Sequence, residues 1–252
     1  MTQPASEGLK RIIGTRALIL GTINLTIGAG IFALPADVAG KLGTASWMAY
    51  IICVTLLMLM LLCFVSLGTK FTSTGGAYVY VEKAFGPFVG FLINSLYWFG
   101  YAVMADAAVT NLLVDSLSIF FPVLKVPYAR VALMAAVFLF IGWINVRGVK
   151  QGVRLVEINT IAKILPLVVL IVVGCFMIDF KNYSWDGFPP IGQLGSVSLL
   201  LFFAFGGGAE TALNASGEIR NPVRTIPIGL LTGAFLVFVI YLSIHLVAQG
   251  VG

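Results

Sequence analysis

Apolar residues in this chain run in long blocks separated by short polar stretches, rather than alternating or recurring every third or fourth position. About 20 apolar residues in a helix cross the hydrocarbon core of a bilayer. Seven blocks reach that length: 17–39, 46–67, 88–121, 129–146, 153–178, 195–217 and 226–248. The pattern predicts an all-α, polytopic membrane protein. The third block, 34 residues long, must tilt or extend beyond the lipid. Between the second and third blocks, residues 69–87 are polar at both ends and read as an amphipathic segment lying at the interface.

Composition strengthens this reading. Of 252 residues 60% are hydrophobic and only 10% charged, with a mean hydropathy of +1.04. A soluble domain needs about a quarter of its residues charged to face water. Cytosolic, secreted and nucleic-acid-binding proteins are thereby excluded, and lipid is the expected surroundings. Cys53, Cys63 and Cys175 all fall in apolar blocks and are expected to be buried thiols without disulfides. The short polar start lacks the features of a cleaved signal, so the first block is expected to be retained.

Charge placement gives direction. Lys10, Arg11, Arg16, Lys70, Lys83, Arg147, Lys150, Arg154, Arg220 and Arg224 fall on one side of the predicted spans, against Lys41, Lys125, Arg130 and Lys181 on the other. The positive-inside rule then places the N-terminus in the cytoplasm of a cell inner or plasma membrane. The chain divides into a tail (1–16), five spans (17–178, including 69–87), an external loop (179–194) and two further spans (195–252).

Spans one and six contain glycine where a helix should be continuous: Gly28-Ala29-Gly30 in the first and Gly206-Gly207-Gly208 in the sixth. Each glycine costs about 1 kcal/mol of helix propensity relative to alanine. Close packing of helices through small residues accounts for an isolated pair. Three glycines followed by the carboxylate of Glu210 predict instead that span six unwinds. Unwound backbone at membrane depth is tolerated only where it faces a cavity or ligand. Half-helix N-termini then offer N–H groups to an anion and C-termini offer carbonyls to a cation. An α-amino acid satisfies both.

The segments Gly28-Ala29-Gly30-Ile31-Phe32, Gly75-Gly76-Ala77-Tyr78 with Phe85-Gly86-Pro87, and Glu218-Ile219-Arg220-Asn221-Pro222-Val223-Arg224-Thr225-Ile226-Pro227 resemble, in order and spacing, the amino acid-polyamine-organocation permease superfamily. The resemblance implies a leucine-transporter-like fold of two inverted five-helix repeats with broken helices one and six. Such permeases have about twelve spans, so this chain resembles the N-terminal seven, truncated after the seventh. Phe203-Ala204-Phe205 is followed by one residue more than many relatives carry before Glu210. The activity implied by the resemblance is secondary active transport of amino acids, without cofactor or metal. The substrate would be held by the backbone of Ile27, Gly28, Ala29, Gly30 and Ile31 and of Phe203, Ala204, Phe205, Gly206, Gly207 and Gly208. Tyr101, Ala105 and Asp106 on span three would set selectivity.

Ionisable groups inside the membrane need a reason, because each costs about 2.5–3.5 kcal/mol on insertion scales. Lys163 lies ten residues into span five, about 15 Å deep. It is either a proton-coupling group or a structural lysine holding carbonyls of the first break, and proton-coupled relatives keep a lysine in a similar context. Glu210 is expected to relay protons or to accept freed N–H groups. Asp106 is a cavity carboxylate or a structural partner, Asp115 lies at the outer rim, Arg154 and Glu157 are interfacial, and His245 is a hydrogen-bonded packing residue in preference to a relay.

A seven-helix retinal protein fits the size, but its Schiff-base lysine is missing from the seventh span and its N-terminus lies outside. An intramembrane enzyme is disfavoured because no Gly-x-Ser-x-Gly or His-Glu-x-x-His occurs. A non-transporting amino acid sensor or half-transporter on the same fold shares every motif above.

Overall fold

The structure, a computed structural model, describes residues 11–146, 150–185 and 187–251, with 144, 145 and 150–157 described by their backbone alone. Lys10 and Arg147, and the side chains of Lys150, Arg154 and Glu157, lie outside the described residues. All seven apolar blocks are helical. The helices are α1 (Thr15–Thr26), α2 (Gly30–Leu42), α3 (Ser46–Lys70), α4 (Ala77–Phe85), α5 (Pro87–Leu96), α6 (Val103–Phe120), α7 (Pro127–Val146), α8 (Lys150–Cys175), α9 (Ile191–Ala209) and α10 (Pro222–Val251). Five stretches are long and apolar enough to cross a membrane, and Pro127–Trp143 is a shorter apolar helix. The first block is divided between α1 and α2, so α1 alone is too short to cross.

The chain forms two compact units. Val81–Leu155 is one. In it α5 and α6 are joined without a turn by a π-helical stretch at Tyr97–Ala102, which explains how the 34-residue block stays continuous. There Arg130 Nη1 meets Asp115 Oδ1 at 2.6 Å and Nη2 meets Asn111 Oδ1 at 3.1 Å, tying α7 to the C-terminal half of α6.

The other unit contains the residues up to Tyr80 and those from Val156 onward. Its core is made by α1, α2, α3, α9 and α10. In lipid there is no hydrophobic force between helices, so close approach through small residues takes over. Gly229 and Gly233 on α10 form such a pair: a Cβ on Gly229 would lie 2.5 Å from Leu18 Cδ2, and one on Gly233 2.7 Å from Thr22 Cβ. The α1–α10 interface is accordingly the most extensive in the unit. Above it, Ile31, Val38, Tyr50, Leu57, Leu61, Leu201, Phe205 and Tyr241 make a buried core. A second cluster below joins Leu18, Val79, Tyr80, Leu213, Ile219, Ile226 and Leu230.

This packing corrects one expectation, that all three cysteines are buried, and gives the segment 69–87 a face against the protein. The segment's Val79 and Tyr80 are buried against Leu18, Leu213 and Ile226, because the left-handed Gly75 and Gly76 turn α4 back onto the protein. Gly75 N–H donates to Asn214 O at 3.0 Å, and a Cβ on Gly76 would run into Asn214 Oδ1. Burial pushes the Tyr80 phenol above its ordinary value. Of the cysteines only Cys53 is buried; Cys63 and Cys175 are exposed, since a thiol on a lipid-facing surface has no need of burial.

Candidate functional site

The first predicted break is present. α1 ends at Thr26, Ile27 is extended (φ −77°, ψ 102°), and α2 resumes at Gly30. Local chemistry stops the helix: Thr26 Oγ1 donates back to Thr22 O at 2.8 Å, and Gly28 and Gly30 beyond it have little helix propensity. Ile27 and Ile31 are buried and anchor the segment in the core, while Gly28 and Gly30 remain exposed. Among the described residues, no backbone carbonyl receives the N–H groups of Ala29 and Gly30. Those of Ile31 and Phe32 reach Gly28 O and Ala29 O only at 3.4 and 3.2 Å. The start of α2 therefore offers N–H groups with a positive dipole end.

The carbonyl side of the break is occupied. Lys163 Nζ, from α8, donates to Asn24 O and Ile27 O at 3.2 Å each. Asn24 O is free because its helical partner would be the N–H of Gly28, which has left the helix. This is the pairing expected of a lysine that holds the first break. Asn24 Oδ1, beside it, is buried without a partner, and no feature of the sequence singles Asn24 out.

Span six differs from expectation. Gly206, Gly207 and Gly208 are wound into α9, which continues to Ala209. Gly208 serves close approach rather than unwinding. Gly208 sits so close to the end of α1 that a Cβ there would lie 2.7 Å from Leu25 O and Thr26 Cα. The departure from α geometry begins one residue later, at Glu210, as a nine-residue 3-10 stretch to Glu218 kinked at Ala215 (φ −95°, ψ 24°). Thr211 Oγ1 takes up Gly208 O at 2.6 Å at this junction. Runs of 3-10 helix longer than about four residues are uncommon and often mark hinges. Glu210 stands at the junction with Oε2 buried and unpartnered. The stretch is tied to the chain's beginning by a two-bond bridge, Ile13 N–H to Glu218 O and Arg220 N–H to Ile13 O, both 2.9 Å.

The remaining candidates divide by place. Phe205, Gly206 and Gly208 are buried in the core, Phe205 meeting the Tyr241 ring edge-on at 4.4 Å. Phe203 is exposed, and Ala204 and Gly207 are intermediate. Tyr101, Ala105 and Asp106 belong to the other compact unit, where Tyr101 lies in the π-helical stretch and stacks on Tyr97, and Ala105 and Asp106 are exposed. His245 is fully buried, and the polar side chain that reaches its ring is that of Gln249, one turn further along α10. An apolar groove of about 760 Å³ between α8 and α10, lined by Pro166, Val169, Val173 and Val247, contains no group suited to a zwitterion. Among the described residues no cluster of side chains could hold a metal ion.

Comparison with known proteins agrees with the helix pattern. The family described as "Amino acid permease" matches residues 13–251. The cadaverine/lysine antiporter of Escherichia coli strain K12 is 31% identical over 236 residues, covering 89% of this chain and 50% of the relative. Cationic amino acid transporter 9, chloroplastic, of Arabidopsis thaliana is 26% identical over 266 residues, covering 98% of this chain and 46% of the relative. The chain thus spans about half the length of the curated relatives it matches. With its apolar helices and its match across 13–251, it is an integral, multi-pass member of the amino acid permease family, within the amino acid-polyamine-organocation superfamily.

Proposed function

We propose that this chain provides the substrate-cradling half of a proton-coupled amino acid carrier. The observation that carries this reading is the pairing of Lys163 with both free carbonyls of the first break. An ammonium placed there ties the protonation of one side chain to the geometry of the segment meant to hold the substrate. The substrate carboxylate is received by the N–H groups of Ala29, Gly30 and Ile31. Its ammonium is received at the end of α9, where Glu210 contributes an unpaired carboxylate oxygen.

Loss of the proton from Lys163 removes a charge-assisted pair of bonds and lets Asn24 O and Ile27 O turn to the substrate. Glu210 takes part as the second proton site. The named activities of the relatives favour a cationic amino acid as cargo, exchanged for another amine. Alternating access comes from the helix bundle that contains the two interrupted spans rocking against the rest, with the N-terminus in the cytoplasm.

The test is uptake of radiolabelled lysine into proteoliposomes by the full-length protein under an imposed pH gradient. Lys163→Ala is expected to abolish the pH-driven component while substrate binding persists. Undiminished pH-driven uptake in Lys163→Ala overturns the coupling. Binding without uptake in the unmodified protein favours a sensor on the same fold.

A further inference from the structure

α10 carries a line of polar side chains through an apolar helix. Tyr241, His245 and Gln249 stand at i, i+4 and i+8, and so lie one above another on a single face. That face is turned inward, with Tyr241 2% and His245 0% exposed. Across from it, α3 presents Ser46, Tyr50 and Cys53, each 0% exposed and spaced to share a face. The Tyr50 and His245 rings are 4.9 Å apart. The Tyr50 hydroxyl is buried and unpartnered, and Gln249 is the one side chain that engages the buried His245 ring by a hydrogen bond among the described residues.

Buried polar groups in native proteins are nearly always hydrogen-bonded, to protein or to ordered water. The Tyr50 hydroxyl and the His245 nitrogen turned from Gln249, on two touching side chains, provide the two partners that a buried water requires. The line also leads somewhere at each end. At the outer end Gln249 Nε2 donates to Gly43 O at 3.3 Å in an exposed contact, and the same carbonyl receives Ser46 Oγ at 2.6 Å. At the inner end the Tyr241 phenol meets the backbone of Gly28, adjacent to Ile27, whose carbonyl holds Lys163.

We propose that Tyr50 and His245 bind water inside the bundle and that the line from Gln249 through His245 and Tyr241 is the path by which protons from outside reach the first break. The path rests on the proton-coupled reading above; the bound water does not. A proton taken up by one nitrogen of the imidazole is matched by the proton lost from the other, so the ring stays neutral after each passage, and exchange through the bound water restores the tautomer. The titratable group against the ring is Tyr50 from α3, whose own charged-form neighbours are Tyr241 of α10 and Cys53 of α3. From α9 the Phe205 ring packs on Tyr50 and Tyr241. Asp37 and Lys41 of α2 and Cys175 of α8 are exposed, and Lys163 is engaged at the break.

His245 is the only histidine in the sequence, so nitrogen-15 histidine labelling gives one assignable ring signal in protein purified through a tag without histidine. The measurement is solid-state NMR of the full-length protein in vesicles, reading the water-to-ring cross-peak and the rate at which the ring proton exchanges with heavy water added outside. A cross-peak is expected in the unmodified protein. Tyr50→Phe should lose it, and Gln249→Leu should slow exchange by about tenfold, the factor that ~1.4 kcal/mol represents. Unchanged helical circular dichroism and melting in both variants keep misfolding apart from the effect. A dry ring in the unmodified protein, or equal exchange rates with and without Gln249, overturns the proposal. Lys163→Ala should leave the cross-peak intact, so failure of proton-coupled uptake and failure of the water site are read separately.

Discussion

Gly206 and Gly208 lie two residues apart in one helix, yet alanine should act on them with opposite sign. At Gly208 the added Cβ would be 2.7 Å from Leu25 O and Thr26 Cα, both main-chain atoms at the end of α1 that no rotamer change can move. Ordinary contact begins near 3.4 Å, so α9 and α1 must part by about 0.7 Å. Overpacking of this kind costs ~1–3 kcal/mol. The gain in helix propensity, ~1 kcal/mol, offsets part of it, leaving Gly208→Ala destabilised by up to ~2 kcal/mol. At Gly206 the nearest atom is Phe202 Cε1 at 3.8 Å. The methyl fits, and Gly206→Ala should gain up to ~1 kcal/mol. Reversible unfolding in mixed micelles by titration with dodecyl sulfate compares both variants with the parent. A Gly206→Ala variant as unstable as Gly208→Ala would mean the run needs freedom to unwind, and the packing explanation would be wrong.

Three further outcomes are expected from the same geometry. Gly233→Ala, whose Cβ would lie 2.7 Å from Thr22 Cβ and 3.2 Å from Ile19 O, should destabilise by ~1–3 kcal/mol in the same titration, whereas Gly21→Ala, with nothing within 4 Å, should not. Gly76→Ala should lose at least ~1 kcal/mol, because φ is +51° and the Cβ meets Asn214; protease nicking between α3 and α4 measures the loosened turn. Removing the exposed Arg130–Asp115 pair should cost no more than ~1 kcal/mol in a double-mutant cycle, and less in high salt.

Much of this arrangement is legible in the residues. The length and uniform apolarity of the blocks specify helices, since backbone in lipid must satisfy itself. The break at Gly28 is legible because two glycines flank a helix end whose Thr26 bonds backward. Gly206, Gly207 and Gly208 mislead because glycine has two uses, conformational freedom and the absence of a side chain. Composition does not say which one a site employs. Only the nearness of Leu25 and Thr26 decides it. Asn24 and the pairing of Tyr50 with His245 are invisible in the sequence for a related reason: their significance lies in which groups they face across more than a hundred residues of chain.

The break and the lysine explain each other. Had α1 continued through Ile27, the Asn24 carbonyl would bond to the N–H of Gly28, and Lys163 would find no free acceptor at that depth. Without Lys163, two carbonyls would stand unpaired in the membrane interior. Inserting the ammonium costs about 2.5–3.5 kcal/mol, and each hydrogen bond to a charged group returns ~1.5–3 kcal/mol. The two bonds to Asn24 O and Ile27 O together return ~3–6 kcal/mol and so cover that cost. Both the cost and the return rest on one proton, so its loss would remove the charge and weaken both bonds at once.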